Sequence, residues 1–129
     1  MYERILVPLD GSKVGEAALP HVEELVSKLV LGVKVEVILL QVISSLTYYV
    51  ITGVEVDVQV PYTEKEIEQI KKKAKEYLAK AGESLRSKGA TVKTKVATGK
   101  AAEEIIKVAD ETKAGLIAMS THGQSGLSR

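Results

Sequence analysis

The residues of this chain best suited to chemistry stand near its two ends. Asp10 follows the apolar run Ile5-Leu6-Val7-Pro8-Leu9 and precedes Gly11-Ser12. Ser120-Thr121-His122-Gly123-Gln124-Ser125-Gly126-Leu127-Ser128-Arg129 follows a second apolar run, Ala114 to Met119. A carboxylate at the end of a buried strand accepts hydrogen bonds from sugar hydroxyls or, in a plainer reading, from the backbone of its own turn. Glycines spaced among hydroxyl residues let backbone N–H groups come close to an oxyanion, and Ser and Thr add donors. That segment also has a plain reading, as a strand-to-helix loop that needs glycine for its shape. His122 is placed to contact a phosphate, but no acid–base partner for it stands out, so no catalytic residue is assigned.

The elements that must hold these residues alternate. Ile5–Leu9 reads as a short buried strand reaching a turn. From about residue 13 to 31, Ala18, Val22, Leu25, Val26, Leu29 and Val30 recur at helical spacing, with Pro20 inside the pattern and expected to kink it. Val35 to Ile43 is apolar apart from Glu36 and Gln41 and reads as a strand buried on both faces over most of its length. Between 44 and 62, Val54, Val56, Val58 and Val60 alternate with polar residues, a period-two signal for an extended flap, dimer contact or edge strand. Thr63-Glu64-Lys65-Glu66 fits a capping box, and Ile67, Ile70, Ala74, Leu78, Ala81 and Leu85 form the stripe of the helix it opens. Thr91 to Ala97 suits an edge strand. Thr98-Gly99 is expected to cap a third helix, marked by Ala102, Ile105, Ile106 and Ala109, and Ala114 to Met119 is the fourth strand.

This order implies a mainly parallel sheet with helices on both faces, joined by right-handed crossovers. If the first and fourth strands are neighbours where strand order reverses, the crevice between their carboxyl ends is the expected ligand position. Asp10 and the 120–126 segment, about 110 residues apart in sequence, then converge there.

Composition excludes several classes. The 129 residues suit one domain, 1–129, and 18 Lys+Arg against 17 Asp+Glu argue against an electrostatic grip on nucleic acid or a membrane. The run Lys71-Lys72-Lys73 is a solvated helix face. No stretch reaches the ~18 apolar residues of a membrane span, no signal-peptide pattern opens the chain, and a cytoplasmic location is the expectation. Two distant histidines and no cysteine make a zinc site a poor reading. No G-x4-G-K-[S/T] string exists, which removes the usual ATPase loop, and no G-x-G-x-x-G follows the first strand.

Ile5-Leu6-Val7-Pro8-Leu9-Asp10-Gly11-Ser12, Val96-Ala97-Thr98-Gly99 and Met119 to Arg129 together resemble the universal stress protein family. The resemblance runs over the whole chain and is least characteristic at 44–62. It implies a Rossmann-like, adenine nucleotide alpha hydrolase-like α/β fold with strand order 3-2-1-4, whose final helix and fifth strand are missing from this chain. In ATP-binding members the signature is G-x2-G-x9-G-[S/T]; Gly123 and Gly126 match its first pair, and the later pair would lie beyond residue 129. The implied nucleotide-binding residues are Pro8, Leu9, Asp10, Val42, His122, Gly123, Gln124, Ser125 and Gly126. ATP or AMP is the implied ligand, Mg2+ an optional companion, and a homodimer the implied assembly.

The expected function is thus a stress-response regulatory module that binds adenine nucleotide between the first and fourth strands. Two alternatives stand beside it. One is a slow ATP hydrolase or phosphotransferase using His122 or Ser125, disfavoured by the lack of a base or metal-carboxylate cluster. The other is a dimeric interaction domain of the same family that binds no nucleotide.

Overall fold

A computed structural model describes residues 2–29, 32–50 and 58–120. In chain order they form strand β1 (Tyr2–Pro8), a 3-10 turn (Gly15–Ala18), helix α1 (Leu19–Leu29), β2 (Lys34–Ile43), β3 (Thr47–Val50), β4 (Val58–Pro61), α2 (Glu64–Ala81), α3 (Glu83–Ser87), β5 (Thr91–Thr98), α4 (Ala101–Thr112) and β6 (Leu116–Ile117). The main sheet has the order β5-β2-β1-β6. All three of its pairings are parallel, as short strands joined through helices require. The fold is therefore α/β, with a parallel central sheet.

Alternation along β1 divides the core between the two faces of the sheet. Ile5 and Val7 join Val37 and Leu39 of β2 under α1 (Leu19, Val22, Val26), α2 (Leu78) and α3 (Leu85). Leu6 turns the other way and packs with Ile38, Leu40 and Val108 of α4. Side chains 5, 6 and 7 are fully buried, which explains why this strand reads as a continuous apolar run rather than an alternating one.

Local signals explain both boundaries of α2. The capping box at α2 is formed as its sequence demands: Glu66 N–H donates to Thr63 Oγ1 at 3.1 Å, and Thr63 N–H donates to Glu66 Oε1 at 2.8 Å. Helical structure breaks at Gly82, between α2 and α3. A Cβ there would sit 2.8 Å from Val92 Cγ1 and 3.2 Å from Leu39 Cδ1, so only glycine lets the chain pass this close to the sheet.

Two local expectations are corrected. Pro20 does not sit in the interior of an α-helix. Helical structure before it is a 3-10 turn, and α1 begins at Leu19, so Pro20 lies in the first α turn, a position that tolerates its missing N–H. Nor does Thr98 cap α4. It still belongs to β5, with Gly99 N–H bonded to Ile43 carbonyl at 3.1 Å, and the N-cap position falls to Lys100 without a side-chain bond.

The 44–62 region contains an antiparallel ribbon, β3 on β4, with Thr47 opposite Pro61 and Val50 opposite Val58. Val54 and Val56 lie outside the described residues. Among the described residues, no helix is long and apolar enough to cross a membrane.

Candidate functional site

The site begins where β1 ends. Leu9 N–H donates to the Leu40 carbonyl at 2.7 Å, carrying the strand pairing one residue past Pro8. The chain then turns on Asp10. Asp10 Oδ1 accepts from the Ser12 N–H at 2.8 Å and from Ser12 Oγ at 2.6 Å, and Ser12 Oγ in turn accepts from the Gly15 N–H at 2.9 Å. This is an Asx turn relayed through a serine, the reason Asp and Ser recur in such loops. Gly15 has no room for a side chain: an added Cβ would fall 2.5 Å from Asp10 Oδ1. Asp10 therefore meets its turn-forming reading, while remaining exposed.

From the other side comes the chain after β6. Gly115 N–H donates to Arg4 carbonyl and Ala118 N–H to Leu6 carbonyl, each at 2.9 Å, so pairing with β1 reaches one residue beyond each end of the short β6. Ser120 Oγ then donates to the Val14 carbonyl at 2.7 Å, tying this end to the loop that carries Asp10.

Between these segments lies a crevice of about 340 Å³. Pro8 and Leu9 of the first strand's end, with Leu40 and Val42 late in β2, line the strand side. Ala101 and Ile105, one turn apart at the start of α4, line another, and Met119, Ser120, Gly15 and Asp10 complete the boundary. The walls are mainly apolar, with the polar groups few and placed at the strand ends, the usual character of a small-molecule site. No Lys or Arg is among the described residues lining it. Among the described residues there is also no group of three or more His, Cys, Asp or Glu able to hold a metal.

Of the residues named from the sequence, Pro8, Leu9, Asp10 and Val42 share this crevice. His122, Gly123, Gln124, Ser125 and Gly126 lie outside the described residues. Sequence reasoning missed Gly15, Leu40, Ala101, Ile105 and Met119. Leu40 had a usable signal, since it stands two residues before Val42 on the same face of a strand.

The Asp10 loop is also held from the opposite face of the sheet. Tyr77 of α2 donates its hydroxyl to Glu16 Oε2 at 2.7 Å. Burial holds the Tyr77 phenol above its ordinary value; the Glu16 hydrogen bond and the negative charges of Glu16 and Asp10 act the same way, while the Gly11 backbone N–H opposes them.

A second polar cluster occupies the amino ends of the strands. Glu36 of β2, buried among its neighbours, receives Arg4 Nε at 3.3 Å and Lys93 Nζ at 3.1 Å. Lys95 pairs with Glu111 at 3.2 Å nearby. These groups border a hollow of about 510 Å³ that also includes Lys113.

A family model described as the universal stress protein family matches residues 1–129. No curated protein matches the chain. Among solved structures, the hypothetical protein MJ0577 is similar over 99% of this chain and 80% of its own, at 29% identity and a TM-score of 0.68. A protein of the universal stress protein family from Burkholderia pseudomallei is similar over 98% and 86%, at 22% identity and a TM-score of 0.68. A universal stress protein solved in complex with cAMP is similar over 98% and 85%, at 16% identity and a TM-score of 0.61.

Proposed function

The chain belongs to the universal stress protein family, and on that premise we propose that it is a stress-response regulatory module that binds an adenine nucleotide, ATP or AMP, in the crevice between β1 and β6. One observation carries the reading. Pro8, Leu9 and Asp10, Val42, and the Met119–Ser120 end converge from three distant parts of the sequence on one mainly apolar crevice. Its apolar walls suit a flat heteroaromatic base, which they would shield from water. Asp10, exposed at the edge, is the acceptor suited to ribose hydroxyls. Backbone N–H groups of Gly123 and Gly126 are the donors suited to phosphate, with His122, Gln124 and Ser125 beside them. Mg2+ would accompany the phosphates as an optional companion. That a universal stress protein of the same fold holds cAMP supports adenine nucleotide as the ligand class. Homodimeric assembly and a cytoplasmic location belong to the same proposal.

Calorimetry with ATP and with AMP tests it, on the wild type and on the Asp10→Ala and Gly126→Val variants. Asp10→Ala removes the ribose acceptor and also frees Ser12, so an affinity loss of about tenfold or more is expected. Valine at Gly126 should remove the phosphate contribution and bring ATP down to the level of the bare nucleoside. Equal affinity in all three proteins would sink the assignment.

A further inference from the structure

We propose that Tyr77 is a positioning residue for the nucleotide crevice: its hydroxyl latches the loop between Gly11 and Glu16 to helix α2, so that ligand affinity depends on a group that touches no ligand. The proposal rests on the nucleotide-binding reading and adds to it a control point on the far face of the sheet.

The loop after β1 is short, polar and carries the one acidic side chain lining the crevice among the described residues. Its internal bonds, Asp10 to Ser12 and Ser12 to Gly15, shape the turn but do not by themselves fix it to the body of the protein. Loops of this kind are mobile unless strapped to a rigid element. Among the described residues, two side-chain hydrogen bonds strap it to other elements. One is Ser120 Oγ on the Val14 carbonyl, on the crevice side. The other is Tyr77, which reaches Glu16 Oε2 at 2.7 Å across 61 residues of sequence. Gly11, at the start of the same loop, and Tyr77 border a common hollow with Gln41. The phenol oxygen thus holds the loop at Glu16, beyond the Ser12 and Gly15 bonds that shape the turn.

The anchor itself is firm. Tyr77 is half-buried and packs against the main core cluster, next to the fully buried Leu78. Its ring is therefore fixed by packing that does not involve the hydroxyl. Removing the hydroxyl alone should loosen the loop while leaving the fold in place. Pre-organised acceptors bind more tightly than mobile ones because less ordering remains to be done on binding.

The test is a mutant cycle on the full chain, read by ATP calorimetry and by amide hydrogen exchange in ligand-free protein. Tyr77→Phe and Glu16→Ala should each weaken ATP binding roughly three- to tenfold. The double variant should be no weaker than either single one, because both remove the same bond. Glu16→Gln keeps a carbonyl oxygen that can accept from the phenol and should restore most of the affinity. Exchange protection of the Ser12 and Gly15 amides should fall in Tyr77→Phe and Glu16→Ala and be retained in Glu16→Gln. Where the wild type binds, additive losses, no rescue by glutamine, or variants with unchanged affinity would overturn the latch alone. A wild type that binds no nucleotide overturns the functional reading and this proposal with it, whatever the exchange data show.

Discussion

The carboxyl and amino ends of the parallel sheet both carry hollows, and they differ in kind. At the carboxyl ends, Leu9, Leu40, Val42, Ile105 and Met119 form apolar walls around about 340 Å³, with Asp10 and Ser120 also lining it. At the amino ends, about 510 Å³ is bordered by Arg4, Glu36, Lys93, Lys95, Glu111 and Lys113. There the charges serve one another, Glu36 with Arg4 and Lys93, and Lys95 with Glu111. A charged ligand entering that hollow would have to displace partners already in place and bear the desolvation cost again. Apolar walls face no such competition, and a flat ligand of matching shape removes them from water. On these grounds the apolar crevice, not the charged hollow, is the one proposed to bind ligand.

Filling the apolar hollow should have the largest effect on binding. Ala101 is exposed at the first position of α4 and borders the crevice. Ala101→Trp should put an indole where the base is proposed to lie and weaken ATP binding by about thirtyfold or more, some 2 kcal/mol. Stability should change by less than about 0.5 kcal/mol, as for an exposed site without a special role. Calorimetry paired with urea unfolding reads both quantities. Undiminished affinity would move the ligand out of this crevice.

The amino end should behave in reverse, affecting stability and leaving binding alone. The Glu36 side chain is 7% exposed, against 36% for Arg4 and 66% for Lys93. Breaking a fully buried pair costs about 3–5 kcal/mol, but water reaches both cations here, which discounts the cost of Arg4→Met to about 1–2 kcal/mol. The urea midpoint should fall with an unchanged slope, and ATP affinity should stay within about twofold of the wild type. A variant that loses affinity while keeping its stability would show that the two ends are not separate.

The same contrast governs what the sequence made legible. β1 and β2 were readable because burial on both faces of a parallel sheet leaves unbroken apolar runs, and amphipathic helices leave stripes. The apolar run at 114–119 was readable too, but only Leu116–Ile117 pair as β6 and both stay exposed. The turn at Asp10-Gly11-Ser12 was readable because its bonds are local. Pro8, Leu9 and Val42 were reached through the family resemblance. Ala101 and Ile105 were not reached, since residues four apart on a helix look alike whether they face a core or an open crevice. Pro20 was misjudged because its meaning depends on where the helix starts, and 3-10 and α turns share nearly the same apolar spacing. Tyr77 was invisible for a different reason. Its partner Glu16 is 61 residues away, and a contact made only by the tertiary fold leaves no local pattern.

The smallest effect is expected within the amino end itself. Lys95 and Glu111 are paired at 3.2 Å, much as Lys93 and Glu36 are at 3.1 Å, so distance does not separate them. Exposure does. Both Lys95 and Glu111 keep nearly half of their side-chain surface in water, at 45% and 47%, whereas Glu36 keeps 7%. In water each ion is already well solvated, and holding two long side chains together costs rotamer freedom. Lys95→Ala should therefore change stability by no more than about 0.5 kcal/mol. What difference remains should shrink further as salt is raised, because exposed charges are screened. Urea unfolding at low and high ionic strength measures this directly. A loss as large as that of Arg4→Met would mean that the whole charged end acts as one coupled network, and that pairing rather than burial sets its contribution.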